Sequence, residues 1–131
     1  MSKLTYHNVD AAPKHVAPFS HAVECDGWIH LTGQMPTDPA EDTKPLPEGI
    51  ASQTRRVMDN LIIVLEGLNL SLSNVVSCRV FITEFERDYE VMNAVYESYF
   101  DADKLPARTC IGVTALARKA LVEIDMIASK S

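Results

Sequence analysis

The chain has 131 residues, 47% hydrophobic and 23% charged, which is the make-up of one globular domain (residues 1–131) and not of a disordered tract. A net charge of −6 with no compensating basic run repels a phosphate backbone, so no nucleic-acid partner is expected. The longest strongly apolar run, Leu61 to Leu65, falls far short of the roughly 20 residues that span a bilayer, so no membrane partner is expected either.

In chain order, the opening Met1-Ser-Lys-Leu-Thr-Tyr-His has no apolar core for a secretory leader, and Leu4 to Asn8 reads as an edge strand. Two extended segments, Ser20 to Cys25 and Trp28 to Thr32, bracket Asp26-Gly27, a strong hairpin signal. Pro36, Pro39, Pro45 and Pro47 remove backbone donors between Gln34 and Glu48 and bar a helix there, which predicts a surface loop. Ile50, Thr54, Val57, Leu61, Val64, Leu65 and Leu68 recur at steps of three and four and predict a helix. Gln53, Arg55, Arg56, Asp59, Asn60 and Glu66 stand mostly on its other face, and a stop falls near Gly67 to Asn69.

Val75 to Thr83 is β-branched and aromatic enough for a strand. A second helix is expected from about Glu86 to Phe100, with Tyr89, Met92, Tyr96 and Tyr99 or Phe100 as a core stripe. Pro106 starts an extended segment, Arg108 to Ala115, and after a polar turn with Arg118 and Lys119 the strand Leu121 to Ala128 follows. In that strand Val122, Ile124, Met126 and Ala128 point one way, and Leu121, Glu123, Asp125 and Ile127 the other. The order hairpin, α, β, α, hairpin predicts an α+β layer with both helices on one face of a mixed sheet. The sheet's second face then calls for a cover, and a second subunit is the economical one.

Counting excludes several chemistries. His7, His15, His21 and His30 have no HExxH spacing, and Cys25, Cys78 and Cys110 form no CxxC pair, so neither a zinc site nor a disulfide framework is indicated and a reducing, cytoplasmic setting is expected. No GxGxxG, GxxxxGK[ST] or GxSxG is present, which removes the usual nucleotide cradles and the serine-hydrolase elbow. What remains is the last hairpin. Arg108 offers a permanently charged planar fork for a carboxylate, and Glu123, with Asp125 on the same face of the expected neighbouring strand, offers an acid/base. The competing reading is an ion pair of Arg108 with Glu123 or Asp125 within the sheet. Cys110, two residues on from Arg108, reads either as a nucleophile or as a small buried apolar side chain.

Pro106-Ala-Arg-Thr-Cys-Ile-Gly-Val followed by Leu121-Val-Glu-Ile-Asp-Met-Ile-Ala resembles the C-terminal signature of the Rid (reactive intermediate deaminase, or YjgF) family. Ala17-Pro-Phe-Ser-His-Ala-Val, Ile29-His-Leu-Thr-Gly-Gln-Met-Pro and Asn93-Ala-Val-Tyr-Glu-Ser-Tyr-Phe agree in the same order, so the resemblance covers nearly the whole chain. It implies a chorismate-mutase-like α+β subunit that assembles as a homotrimer with sites in clefts between subunits. It also implies hydrolysis of 2-imino acids such as 2-iminobutanoate and 2-iminopropanoate, and of their enamine tautomers, to 2-keto acids and ammonia, with no metal or cofactor. By this resemblance Arg108 binds the substrate carboxylate and Glu123 orients or activates water. Thr32, Gly33, Cys110, Phe19 and Asn93 then line the substrate site.

The chain departs from the family pattern at Phe19, where Tyr is common, at His21 for Gln, at Thr32 for Ser and at Ala17 for Gly, and its loop from Asp38 to Pro47 is longer. The rim of the site is therefore altered. A non-catalytic module that binds or senses small carboxylates is the alternative from another class, and a deaminase of a different substrate, such as an aminomuconate, also fits the resemblance. RNA cleavage or translation inhibition, attached to some relatives, is disfavoured by the acidic charge and by the lack of an aromatic-basic patch.

Overall fold

The computed structural model describes residues 3–131. Its elements are β1 (Thr5–His7), β2 (Ala22–Cys25), β3 (Trp28–Gln34), α1 (Gly49–Gly67), β4 (Val75–Ile82), α2 (Phe85–Glu97), β5 (Ala107–Gly112) and β6 (Val122–Ser129). Each expected helix and strand is present, with ends moved by a few residues. Asp26 and Gly27 both take positive φ, 53° and 82°, the type I′ combination that matches strand twist between β2 and β3. Helix α1 closes through Asn69 at φ 61°, so the left-handed position falls to the asparagine and not to Gly67.

The six strands form one sheet in the order β1-β2-β3-β6-β4-β5. All pairs are antiparallel except β4 with β5, which α2 connects as a crossover. Alternation along β6 buries Val122, Ile124, Met126 and Ala128 against α1 and α2, and β3 and β4 supply Ile29, Leu31, Cys78, Val80 and Ile82 to the same core. From the helices come Val57, Met58, Leu61, Val64 and Leu65 of α1 with Met92 and Tyr96 of α2. No helix of the described residues packs on the opposite face of the sheet, which leaves Trp28 and Ile111 exposed.

The last hairpin is a correction. β5 and β6 are not neighbours: β5 pairs only with β4, at the sheet edge, and β6 lies between β3 and β4. The sequence reading paired consecutive strands, which is the commoner arrangement. Here the crossover lays β5 parallel to β4, and the chain must then pass β4 to reach the gap beside β3. Strand β5 also ends at Gly112, three residues before the expected end, where Val113 N–H turns to donate to the Ile82 carbonyl.

Gln53 and Asn60 correct a second expectation, because both are buried instead of solvated. Asn60 Nδ2 donates to the carbonyls of Met35 and Thr37, at 3.0 and 2.9 Å. Gln53 Nε2 donates to the Pro47 carbonyl, and Gln53 Oε1 accepts from Leu121 N–H. These two amides staple the proline-rich loop to α1, satisfying backbone groups that prolines leave without ladder partners. From the far side, the Arg118 guanidinium donates to the carbonyls of Asp42 and Lys44.

Candidate active site

Glu123 sits near the start of β6 and faces away from the helices, because its neighbours Val122 and Ile124 take the core side. Between Leu31–Met126 and Gln34–Ile124 the ladder slips, so that Thr32 and Gly33 stand opposite Asp125 alone. That bulge turns the β3 backbone toward Glu123. Glycine leaves room for the carboxylate there, since a Cβ at Gly33 would overlap Glu123 Oε2 and displace it. Thr32 is fixed from two sides: its N–H donates to the His21 carbonyl and its hydroxyl to the Ser20 carbonyl. Burial, helped by the nearby Asp125 charge, holds the Glu123 carboxyl above the usual carboxylate range. The carboxyl opens into a cavity of about 280 Å³ whose lining includes Val16, Phe19, Thr32, Gly33, Met35 and Ala117.

Arg108 belongs to the other side of the sheet. In the parallel ladder it is the partner of Cys78, which is buried under the helices, so Arg108 and Cys110 share the helix face. The guanidinium carbon lies 5.0 Å from the Tyr96 ring centre and 6.0 Å from that of Tyr89, with Nη2 3.5 Å from the Tyr89 hydroxyl. Among the described residues Arg108 forms no ion pair, which removes the competing intrasheet reading; Asp125 is taken instead by Arg79, at 2.6 Å. A second cavity, about 370 Å³, is lined by Arg108, Asn93, Tyr96, Glu97, Leu105 and Pro106. Among the described residues the buried Asn93 Oδ1 has no hydrogen-bond partner, so an unused acceptor belongs to a residue lining the same cavity as Arg108.

Cys110 is half-buried, and desolvation pushes its thiol up in spite of the Arg108 charge. Cys78, more deeply buried beside Tyr96, is pushed up to about 11. Neither has the depressed pKa of a nucleophilic thiol. The expected residues thus separate into two groups, Phe19, Thr32, Gly33 and Glu123 on one side and Arg108, Cys110 and Asn93 on the other.

A family model described as Endoribonuclease L-PSP matches residues 9–130. The protein DfrA of Myxococcus xanthus is 41% identical over 131 residues, covering 98% of this chain and 96% of that one. The chain belongs to the Rid (YjgF/RutC) family. Among solved structures, YEO7 of yeast superposes with a TM-score of 0.91 at 33% identity, covering 98% of this chain and 100% of the other. E. coli TdcF, solved with bound serine, gives 0.86 at 27% identity, with 95% and 99% covered.

Within this Rid domain two contributions escape sequence reasoning. Tyr89 and Tyr96 read as core stripe, yet their rings also carry the Arg108 cation; the i, i+7 spacing along α2 places both beside the β5 edge. Val16 had no pattern to mark it, since an irregular segment places it at the mouth of the Glu123 cavity. Among the described residues no cluster of three or more His, Cys, Asp or Glu is placed to hold a metal ion, and no helix is long and apolar enough to cross a membrane.

Proposed function

We propose that this Rid-family chain hydrolyses small 2-imino acids and their enamine tautomers to 2-keto acids and ammonia, at sites completed between copies of the chain in a homotrimer. The observation that carries this reading is the state of Arg108: half-buried, stacked on tyrosines and bare of any carboxylate of its own. A guanidinium in that state is a receptor for an organic anion, with each charged hydrogen bond contributing roughly 1.5–3 kcal/mol. The bound serine of the TdcF neighbour supports a ligand of this size and charge.

The chemistry then follows from Glu123. Its elevated pKa suits a group that takes a proton at one step and returns it at the next. Water attacks C2 of the protonated imine while the Glu123 carboxylate accepts the proton water releases. The resulting carbinolamine has one C–O bond more and one C=N π bond fewer. Glu123 returns the proton to nitrogen, the C–N bond breaks, and ammonia leaves as the carbonyl forms. The hydroxyl proton passes back to the Glu123 carboxylate and from there to the released ammonia or solvent. One positioned acid/base is worth on the order of 10²–10⁴ in rate, and the Arg108 fork holds C2 in place.

The test generates 2-iminopropanoate or 2-iminobutanoate in the cuvette with an amino-acid oxidase and follows keto-acid release. Wild type should exceed both Arg108→Ala and Glu123→Ala; a wild type no faster than Arg108→Ala removes the proposal. Arg108-dependent binding of 2-ketobutyrate without turnover would make the chain a carboxylate-binding module instead.

A further inference from the structure

Ahead of β2 the chain runs from Asn8 to Ser20 without helix or strand, and this irregular segment supplies Pro13, Lys14, Val16, Ala17 and Phe19 to the Glu123 cavity. Among the described residues its own backbone–backbone hydrogen bonds are two local turns, Ala12 N–H to the Val9 carbonyl and Phe19 N–H to the Ala17 carbonyl. Its polar attachment to the sheet is concentrated at the buried His21. There Nδ1 accepts from Val9 N–H at 2.9 Å, Nε2 donates to the Pro13 carbonyl at 2.8 Å, and the His21 N–H donates to Asn8 Oδ1 at 3.3 Å. The His21 carbonyl accepts from Thr32 N–H and the Ser20 carbonyl from the Thr32 hydroxyl, so the same corner fixes the bulge beside Glu123.

Both ring partners are backbone groups of fixed polarity. An amide N–H only donates and a carbonyl only accepts, so the ring is held as the neutral imidazole with its hydrogen on Nε2. A second proton has to go to Nδ1, where it meets the Val9 hydrogen head-on. From His21 a column of rings continues to the cavity: His15 stacks on it with centres 4.2 Å apart and meets Phe19 edge-on at 5.3 Å. Of the groups that face His21, Asn8 and Thr32 carry no charge, while His15 is titratable and adds repulsion when charged. Burial also disfavours the imidazolium and lowers the His21 pKa, whereas the Glu123 value is set by burial and Asp125. We propose that neutral His21 is a positioning residue for the Glu123 site, holding the 8–20 segment and the Thr32 bulge in place, and that a proton on Nδ1 releases both. The catalytic consequence rests on the deaminase reading, but the latch is a property of the chain alone.

Glutamine can repeat both ring contacts, amide oxygen toward Val9 and nitrogen toward Pro13, without titrating, and leucine repeats neither. The experiment measures kcat/KM for 2-iminopropanoate from pH 8 to pH 4.5 and reads the ratio of wild type to His21→Gln, in which the titrations of substrate and of Glu123 cancel. That ratio should be near one at pH 8 and fall several-fold toward pH 4.5, steepening to about tenfold per pH unit below the folded His21 value. His21→Leu should lose at least about tenfold at every pH through misplacement of the site. A flat ratio, a fall matched by loss of far-UV circular dichroism, or a His21→Leu rate equal to wild type at pH 8 overturns the inference and leaves the deaminase reading standing. If wild type hydrolyses no imine, that reading falls, and residue-resolved hydrogen exchange at pH 5 decides the inference. Val9 and Thr32 amides exchanging several-fold faster in wild type than in His21→Gln, with the rest of the sheet alike, support it, and equal rates overturn it.

Discussion

Arg108 and Glu123 stand on opposite faces of the same sheet, with β4 between their strands: Arg108 is the ladder partner of buried Cys78, and Glu123 that of Phe81 on the far face. No rotamer change brings a side chain through a sheet, so the two can meet only across a boundary between copies.

Mixing therefore discriminates. Arg108→Ala and Glu123→Ala should each be inactive alone, and refolding them together in equal amounts should restore roughly a quarter of wild-type activity, the share of random interfaces that hold both groups. Light scattering should give three times the chain mass. Zero recovery in a sample shown to have exchanged subunits would place the site within one chain.

Gly33 should be intolerant for a catalytic reason. In Gly33→Ala the new Cβ occupies the place of Glu123 Oε2, and a flexible carboxylate yields before backbone does. The expected outcome is a loss of kcat of about 10²-fold from misplacement, with a much smaller change in the denaturation midpoint. Equal losses of both would mean that the bulge itself collapses.

Glu123 should cost stability at neutral pH. Its folded-state pKa is raised, so between the ordinary value of 4.5 and that higher value the folded chain binds more protons than the unfolded one. Stability from this group is complete below 4.5 and is lost as pH rises through the folded value. Glu123→Gln should accordingly be more stable than wild type at pH 8, with the advantage shrinking toward pH 4, while activity drops by about 10²–10⁴. Urea titrations at both pH values measure it.

His21 works in the opposite sense. Its Nδ1 accepts from Val9 N–H and its Nε2–H donates to the Pro13 carbonyl, which commits the neutral ring. Desolvation lowers its pKa, and the stacked His15 ring, 4.2 Å away between centres, adds to the effect when charged. Folded His21 thus binds fewer protons than unfolded His21 below 6.5, and stability falls as pH drops through that window. His21→Gln should flatten the dependence between pH 7.5 and 5.5; an unchanged slope would assign it to other groups.

The sequence made the local elements legible because periodicity and turn chemistry act over short range: Val122, Ile124, Met126 and Ala128 declared a core face, and Asp26-Gly27 a tight hairpin. Strand order was not legible, since nothing local in β5 says that its partner is β4 and not β6. The two site groups could each be picked out from residue type, but their division across the sheet depends on that order. Gln53 and Asn60 were misread for a related reason: an amide on a polar stripe looks solvated until a proline-rich loop is folded onto it.

The placement of β6 also governs how the chain is made. Translation delivers this strand after β1 to β5, yet it fills the middle of the sheet and bridges β3 and β4. Until residues 122–129 leave the ribosome, both of those strands present unsatisfied edges, the condition that invites aggregation and chaperone capture. Truncation before Val122 would leave two separate ribbons in place of a shortened domain.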